Sequence, residues 1–125
     1  ARAALAAARN DAAFEARNVS EVVRAFDADA AATSDRITIK GPDVANGAAV
    51  PVAVSSTLPN VEMIALVVER NRAPLAAVFM MTPDQEPFVL TRLRMGETSD
   101  VHALVRADGR LHVAQRRIVV TLGGC

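Results

Sequence analysis

The residue in this sequence best suited to covalent chemistry is Cys125, the only cysteine in the chain. It follows Gly123-Gly124, which in turn follows the apolar run Val119-Val120-Thr121-Leu122. A thiolate is a nucleophile, and a thiol of ordinary pKa, about 8.5, is only slightly ionised at neutral pH. Glycine visits both signs of φ, so a Gly-Gly pair acts as a hinge. Three residues at full extension reach about 10 Å, enough to enter the shallow cleft of another protein. With Cys125 as the last residue of the sequence, the adjoining α-carboxylate disfavours the thiolate. The expectation is a poor stand-alone catalyst but an adequate attachment point, one that a second protein activates.

The remaining reactive residue types give weaker signals. His102 and His112 are the only histidines, and an acid–base or metal pair would need them to converge. Asp108-Gly109 predicts a two-residue hairpin turn, which sets His102 opposite Gln115 and His112 opposite Val105, on opposite faces. Solvated or hydrogen-bonded strand histidines follow. Met63, Met80, Met81 and Met95 with Cys125 would suit soft Cu(I), whereas methionine as filler for an aromatic-poor core is the plainer account. The carboxylates are scattered, and no glycine-rich phosphate loop opens a helix. A carrier of the ubiquitin type is excluded, because its reactive group is the carboxylate of glycine itself. No metal and no cofactor are expected.

Net charge is zero and the pI is about 7.0, so there is no general electrostatic reason to bind nucleic acid or an anionic membrane. Six arginines lie between Arg92 and Arg117 against Glu97, Asp100 and Asp108, a local bias that fits a solvated strand face. The apolar runs are far shorter than the ~20 residues of a membrane span. No charged-then-apolar leader is visible at the start, and a single cysteine allows neither an internal disulfide nor a cysteine-based zinc site. Alanine makes up about a fifth of the chain, and Trp and Tyr are absent, so the core must rest on Val, Ile, Leu and Met.

The elements that position the cysteine can be read in order. Residues 1–17 are an Ala-rich helix with Leu5 and Phe14 as the sizeable anchors, expected to be frayed or held by a partner. Asn18 caps a second helix whose stripe is Val19, Val22, Val23 and Phe26, with Glu21 completing a capping box. From Arg36 the period falls to two, first in Ile37 and Ile39, then in Val50, Val52 and Val54. Pro51 cannot donate a ladder hydrogen bond, which places it at a strand start or on a sheet edge. Val61–Arg70 is dense enough for a central strand. Leu75–Thr82 follows it. Phe88–Met95 turns Val89, Thr91, Leu93 and Met95 to one face and Phe88, Leu90 and Arg92 to the other. The Asp108-Gly109 hairpin leads to the terminal strand. Six or seven short strands with Gly, Pro and Asn turns predict a mainly β fold, an immunoglobulin-like antiparallel β-sandwich with a helical N-terminal segment. The expected division is a helical segment 1–34 packing on the domain or a partner, a sandwich 35–122, and a flexible arm 123–125.

Three stretches resemble the SoxY family, the sulfur-carrier subunit of the SoxYZ thiosulfate-oxidation complex. They are Pro42–Val52, with its Asn-Gly and Val-Pro, then Thr91–Met95 with the Asp108-Gly109 hairpin, and Val119–Cys125 with its glycine-cysteine tail. The resemblance implies an immunoglobulin-like, non-enzymatic carrier in the periplasm, paired with a SoxZ-like subunit and serving separate sulfur-oxidation enzymes. It implies Cys125 as the attachment residue and Gly123 and Gly124 as the swinging arm. The family usually has two further glycines after the cysteine, which this sequence lacks, and residues 71–74 are looser than the family's Asn-Pro version. From the residues themselves, a structural or adhesive sandwich with an intermolecular disulfide through Cys125 and a copper-handling module stand as the other functions.

Overall fold

The structure, a computed structural model, describes residues 11–26, 31–46, 49–82 and 84–121. Among these residues two short helices, α1 (Asp11–Glu15) and α2 (Val19–Ala25), precede nine strands. The strands are β1 (Ala32–Thr33), β2 (Ile37–Lys40), β3 (Val44–Asn46), β4 (Val50–Ser56), β5 (Val61–Val68), β6 (Leu75–Met80), β7 (Phe88–Leu93), β8 (Ser99–Ala107) and β9 (Arg110–Thr121). One sheet has the order β1-β9-β8-β5-β6, with β3 also paired to β9; the other is β2-β4-β7. The fold is the expected immunoglobulin-like sandwich.

Why these residues layer this way is clearest in β5, which is paired on both sides. Its run is almost continuously buried because both of its faces are covered. Ile64, Leu66 and Val68 face the sandwich interior, where they join Val50, Val52 and Val54 of β4 and Ile118 of β9. Met63, Ala65 and Val67 face the helices, with Leu104, Val22 and Phe26. The chain therefore has three layers: helices, large sheet and small sheet.

The cap of α2 forms as its sequence requires. The Asn18 side chain accepts from the Glu21 N–H at 2.9 Å, and the Glu21 carboxylate accepts from the Arg17 N–H and the Asn18 amide, each at 3.0 Å. At the far end Arg106 Nη2 donates to the Phe26 carbonyl, meeting one of the acceptors a helix terminus leaves open. In α1 the anchors differ from expectation. Ala13 and Ala16 are the buried residues and Phe14 is 42% exposed, because only alanines let this helix approach the sheet closely. Leu5 lies outside the described residues.

The hairpin register is the one Asp108-Gly109 dictates, with Ala107 opposite Arg110, Leu104 opposite Val113 and Val105 opposite His112. Asp108 and Gly109 have φ of 51° and 75°, the two positive values a type I′ turn needs. Three features depart from the sequence reading. Pro51 stands at the start of β4, one of the two places expected of it, but β4 is the middle strand of its sheet and not an edge; the ladder with β2 begins at Ala53, which leaves the missing N–H of Pro51 beyond it. β1 begins the large sheet at Ala32, ahead of the expected boundary at residue 35. β1 and β3 both pair parallel to β9 in a sandwich that is otherwise antiparallel.

Candidate functional site

Cys125, Gly123 and Gly124, with Leu122, lie outside the described residues. What the structure does describe is the root from which they continue. β9 is the longest strand, and it outruns its partner: β8 ends its pairing at Ser99 opposite Ile118. Beyond that point β3 takes over, setting Val44 beside Val119, Ala45 beside Val120 and Asn46 beside Thr121.

The root is held from both sides. The Val119 N–H donates to the Asp43 carbonyl at 2.9 Å, and the Thr121 hydroxyl donates to the Ala45 carbonyl at 3.4 Å. On the other flank the Val120 N–H donates to Thr98 Oγ1 at 2.9 Å. Thr98 belongs to a loop that is itself tied down. Asn71 Nδ2 donates to the Arg94 carbonyl at 2.6 Å, and Asn71 Oδ1 accepts from the Gly96 N–H at 3.2 Å. Ser99 Oγ accepts from the Arg70 N–H at 3.1 Å. Asn71 thus supports the terminal strand at one remove.

Arg116 fixes the link that delivers β3. Its Nη2 donates to the Gly41 carbonyl at 3.0 Å and pairs with Asp43 Oδ1 at 2.7 Å. Asp43 is mostly exposed, so the ion pair alone contributes about 0–1 kcal/mol, and the geometry matters more than the charge. The backbone passes close there: a Cβ on Gly41 would lie 3.3 Å from the Pro51 carbonyl oxygen, tighter than an ordinary contact, so a side chain would require a shift of a few tenths of an ångström. Asp43, Arg116 and Thr98 were missed because their partners are 73 and 22 positions away in sequence.

An expected outcome follows. Thr98→Val removes the acceptor of the Val120 N–H at the cost of about 1 kcal/mol. Amide exchange at Val120 should speed up about fivefold, with exchange in β5 unchanged. Equal speeding of both would mean that the tail root is no local unit.

The other candidates do not converge on this root. His102 is buried against the helix layer and its Nε2 is 2.9 Å from Glu69 Oε1, while His112 faces the opposite side of the hairpin. The open cleft beside His102, lined by Ser20, Arg24 and Gln115, lies about 20 Å along β9 from Thr121 at the usual strand rise. Met63 and Met80 are cross-strand partners on β5 and β6, but Met95 and Met81 pack with the sandwich interior, so the four methionines do not converge on one site. Among the described residues no group of three or more His, Cys, Asp or Glu side chains could hold a metal.

Comparison with known proteins fits this architecture. A family profile described as sulfur oxidation protein SoxY matches residues 22–125. Among solved structures, the sulfur carrier protein SoxY from Chlorobium limicola f thiosulfatophilum is 34% identical, with a TM-score of 0.77. That match covers 86% of this chain and 96% of the other. A superoxide reductase (neelaredoxin) from Ignicoccus hospitalis has a TM-score of 0.64 at 19% identity, over 73% of this chain and 95% of its own. A putative superoxide reductase from Thermotoga maritima has a TM-score of 0.62 at 14% identity, over 73% and 94%. At those identities the two reductases share the fold alone. No curated protein matches the sequence. The profile runs through the strands that build the tail root to the cysteine itself, and the relative that shares a third of its residues is a SoxY: the chain belongs to the SoxY family.

Proposed function

We propose that this protein is a carrier of sulfur intermediates, holding them as covalent adducts on Cys125 while separate enzymes act on them. The observation that carries the reading is the family match, which extends through Gly123-Gly124 to Cys125, the only cysteine. Residues 123–125 serve as the arm, the sandwich as its base and the residues ahead of β1 as a helical segment packing on the domain or on a partner. The partner is a SoxZ-like subunit in a heterodimer, in the periplasm. No resident cofactor is needed.

Chemistry supports a carrier over an enzyme. Joining a cysteine thiolate to the sulfane sulfur of thiosulfate forms an S–S bond and releases two electrons, so an oxidant must come from elsewhere. A partner enzyme therefore supplies activation and electron transfer, while this chain supplies a reachable sulfur.

The test is intact mass after incubation with thiosulfate and the cognate enzymes, before and after reductant. A reductant-sensitive gain of sulfur or sulfonate mass supports the carrier. A doubled mass alone points to a disulfide-linked structural module, and a retained metal to copper handling. Gly124→Pro fixes φ near −65° and stiffens the arm. It should slow transfer between enzymes several-fold in a stopped-time mass assay, while total thiol by titration stays unchanged. Unaltered transfer would remove the hinge from the account.

A further inference from the structure

α2 has 7 residues and spans about 10 Å, while β9 runs for 12 residues. A helix this short leaves part of the large sheet's outer face uncovered. What remains is an open cleft of about 450 Å³ between the flank of α2 and the β8-β9 ladder. Ser20 and Arg24 line its helix side, while His102 and Gln115, cross-strand partners, line its sheet side. Val23 and Val113 add apolar surface. A cleft of this size, part apolar with a few convergent polar groups, has the make-up of a small-molecule site.

Charge narrows the ligand. Arg24 lines the cleft, and no carboxylate does. The Arg24 guanidinium has no hydrogen-bond or ion-pair partner among the described residues. Glu21, one turn back, already accepts from the Arg17 N–H and the Asn18 amide. His102 has only 9% of its side chain exposed, and its Nε2 lies 2.9 Å from Glu69 Oε1. An ionised carboxylate only accepts, so Nε2 carries the ring proton, and Nδ1 has no partner among the described residues. The other charges on this face, Asp100 and Arg117, lie two residues further along the ladder and pair with each other at 3.9 Å.

We propose that this cleft binds a small organic monoanion, its carboxylate or sulfonate head held by Arg24, Ser20 and His102 and its apolar body resting on Val23 and Val113. Arg24 supplies the charge and the Ser20 hydroxyl a neutral donor. His102 takes a second proton as the anion arrives, so that Nδ1–H donates to the head while Nε2–H stays on Glu69. The imidazolium then stands between two anions. An inorganic dianion suits the cleft less well, because it would hold its hydration shell against Val23 and Val113. The site is non-covalent and independent of Cys125.

The probes are hexanoate and butane-1-sulfonate, titrated into the full chain while the imidazole resonances of His102 and His112 are followed by NMR. Both probes should bind with Kd of about 1 mM and shift His102. His112, on the opposite face of the hairpin, should stay still. Binding takes up a proton on the ring, so affinity should fall about tenfold between about pH 5 and pH 8, the window in which imidazole loses its charge. Arg24→Gln replaces an exposed side chain, so the variant should fold, and it should weaken binding about tenfold. Sulfate and hexanol, each with half of the required chemistry, should leave His102 unmoved at the same concentration. Cys125→Ser should bind as wild type, which separates this site from the carrier reading. An unmoved His102 with both probes overturns the proposal. So does wild-type affinity in Arg24→Gln, an affinity independent of pH, or sulfate or hexanol matching hexanoate.

Discussion

Cys125→Ser should abolish sulfur loading completely while shifting stability by no more than about 0.5 kcal/mol. Loss should be total because the chain has no second cysteine and a serine hydroxyl cannot form an S–S bond. Stability should hold because, among the described residues, both core clusters are built from side chains between Ala13 and Val120, and a residue beyond a Gly-Gly hinge contributes little burial. The last described contacts of the terminal strand are those of Thr121 with β3. Intact mass reads the first effect and thermal unfolding the second. A large fall in melting temperature would place Cys125 in the core and remove the reason for regarding it as a presented thiol.

A large effect on stability belongs to β5, which is paired on both sides and covered on both faces. Leu66 is fully buried in β5 between the sheets, and Leu66→Ala should cost about 2–5 kcal/mol through lost transfer energy and the cavity left behind. That is a large share of the 5–15 kcal/mol that holds a typical domain. Phe14→Ala, by contrast, should cost under about 1 kcal/mol, because the ring is 42% exposed and the neighbouring alanines do the packing. Denaturant unfolding of the two variants separates the cases. If Phe14→Ala proved the more damaging, α1 would be held by its phenylalanine, as the sequence alone suggests.

Legibility followed the range of the interactions. The Asp108-Gly109 hairpin, the Asn18 cap, the double burial of β5 and the two faces of β7 could be read because each depends on neighbours a few residues away, or on simple alternation. The parallel pairing of β1 and β3 with β9 could not. These strands are two and three residues long, and Val44-Ala45-Asn46 carries no period. The central place of β4 was hidden by Pro51, whose missing donor falls where β2 has already ended. At the candidate site, glycine and cysteine pointed to a presented thiol from residue types alone. The clasp formed by Asp43, Arg116 and Thr98 required the fold, since tertiary contacts bring these residues together and no motif does.

The central claim is that sulfur is carried on Cys125. The most direct measurement is a trypsin map of the protein after loading with thiosulfate and the cognate enzymes. Cleavage after Arg117 releases residues 118–125 as one fragment bearing the only cysteine. The account predicts a sulfur or sulfonate mass increment on that fragment alone, lost on reduction and absent in Cys125→Ser. An increment that maps elsewhere, or that persists in Cys125→Ser, would contradict it.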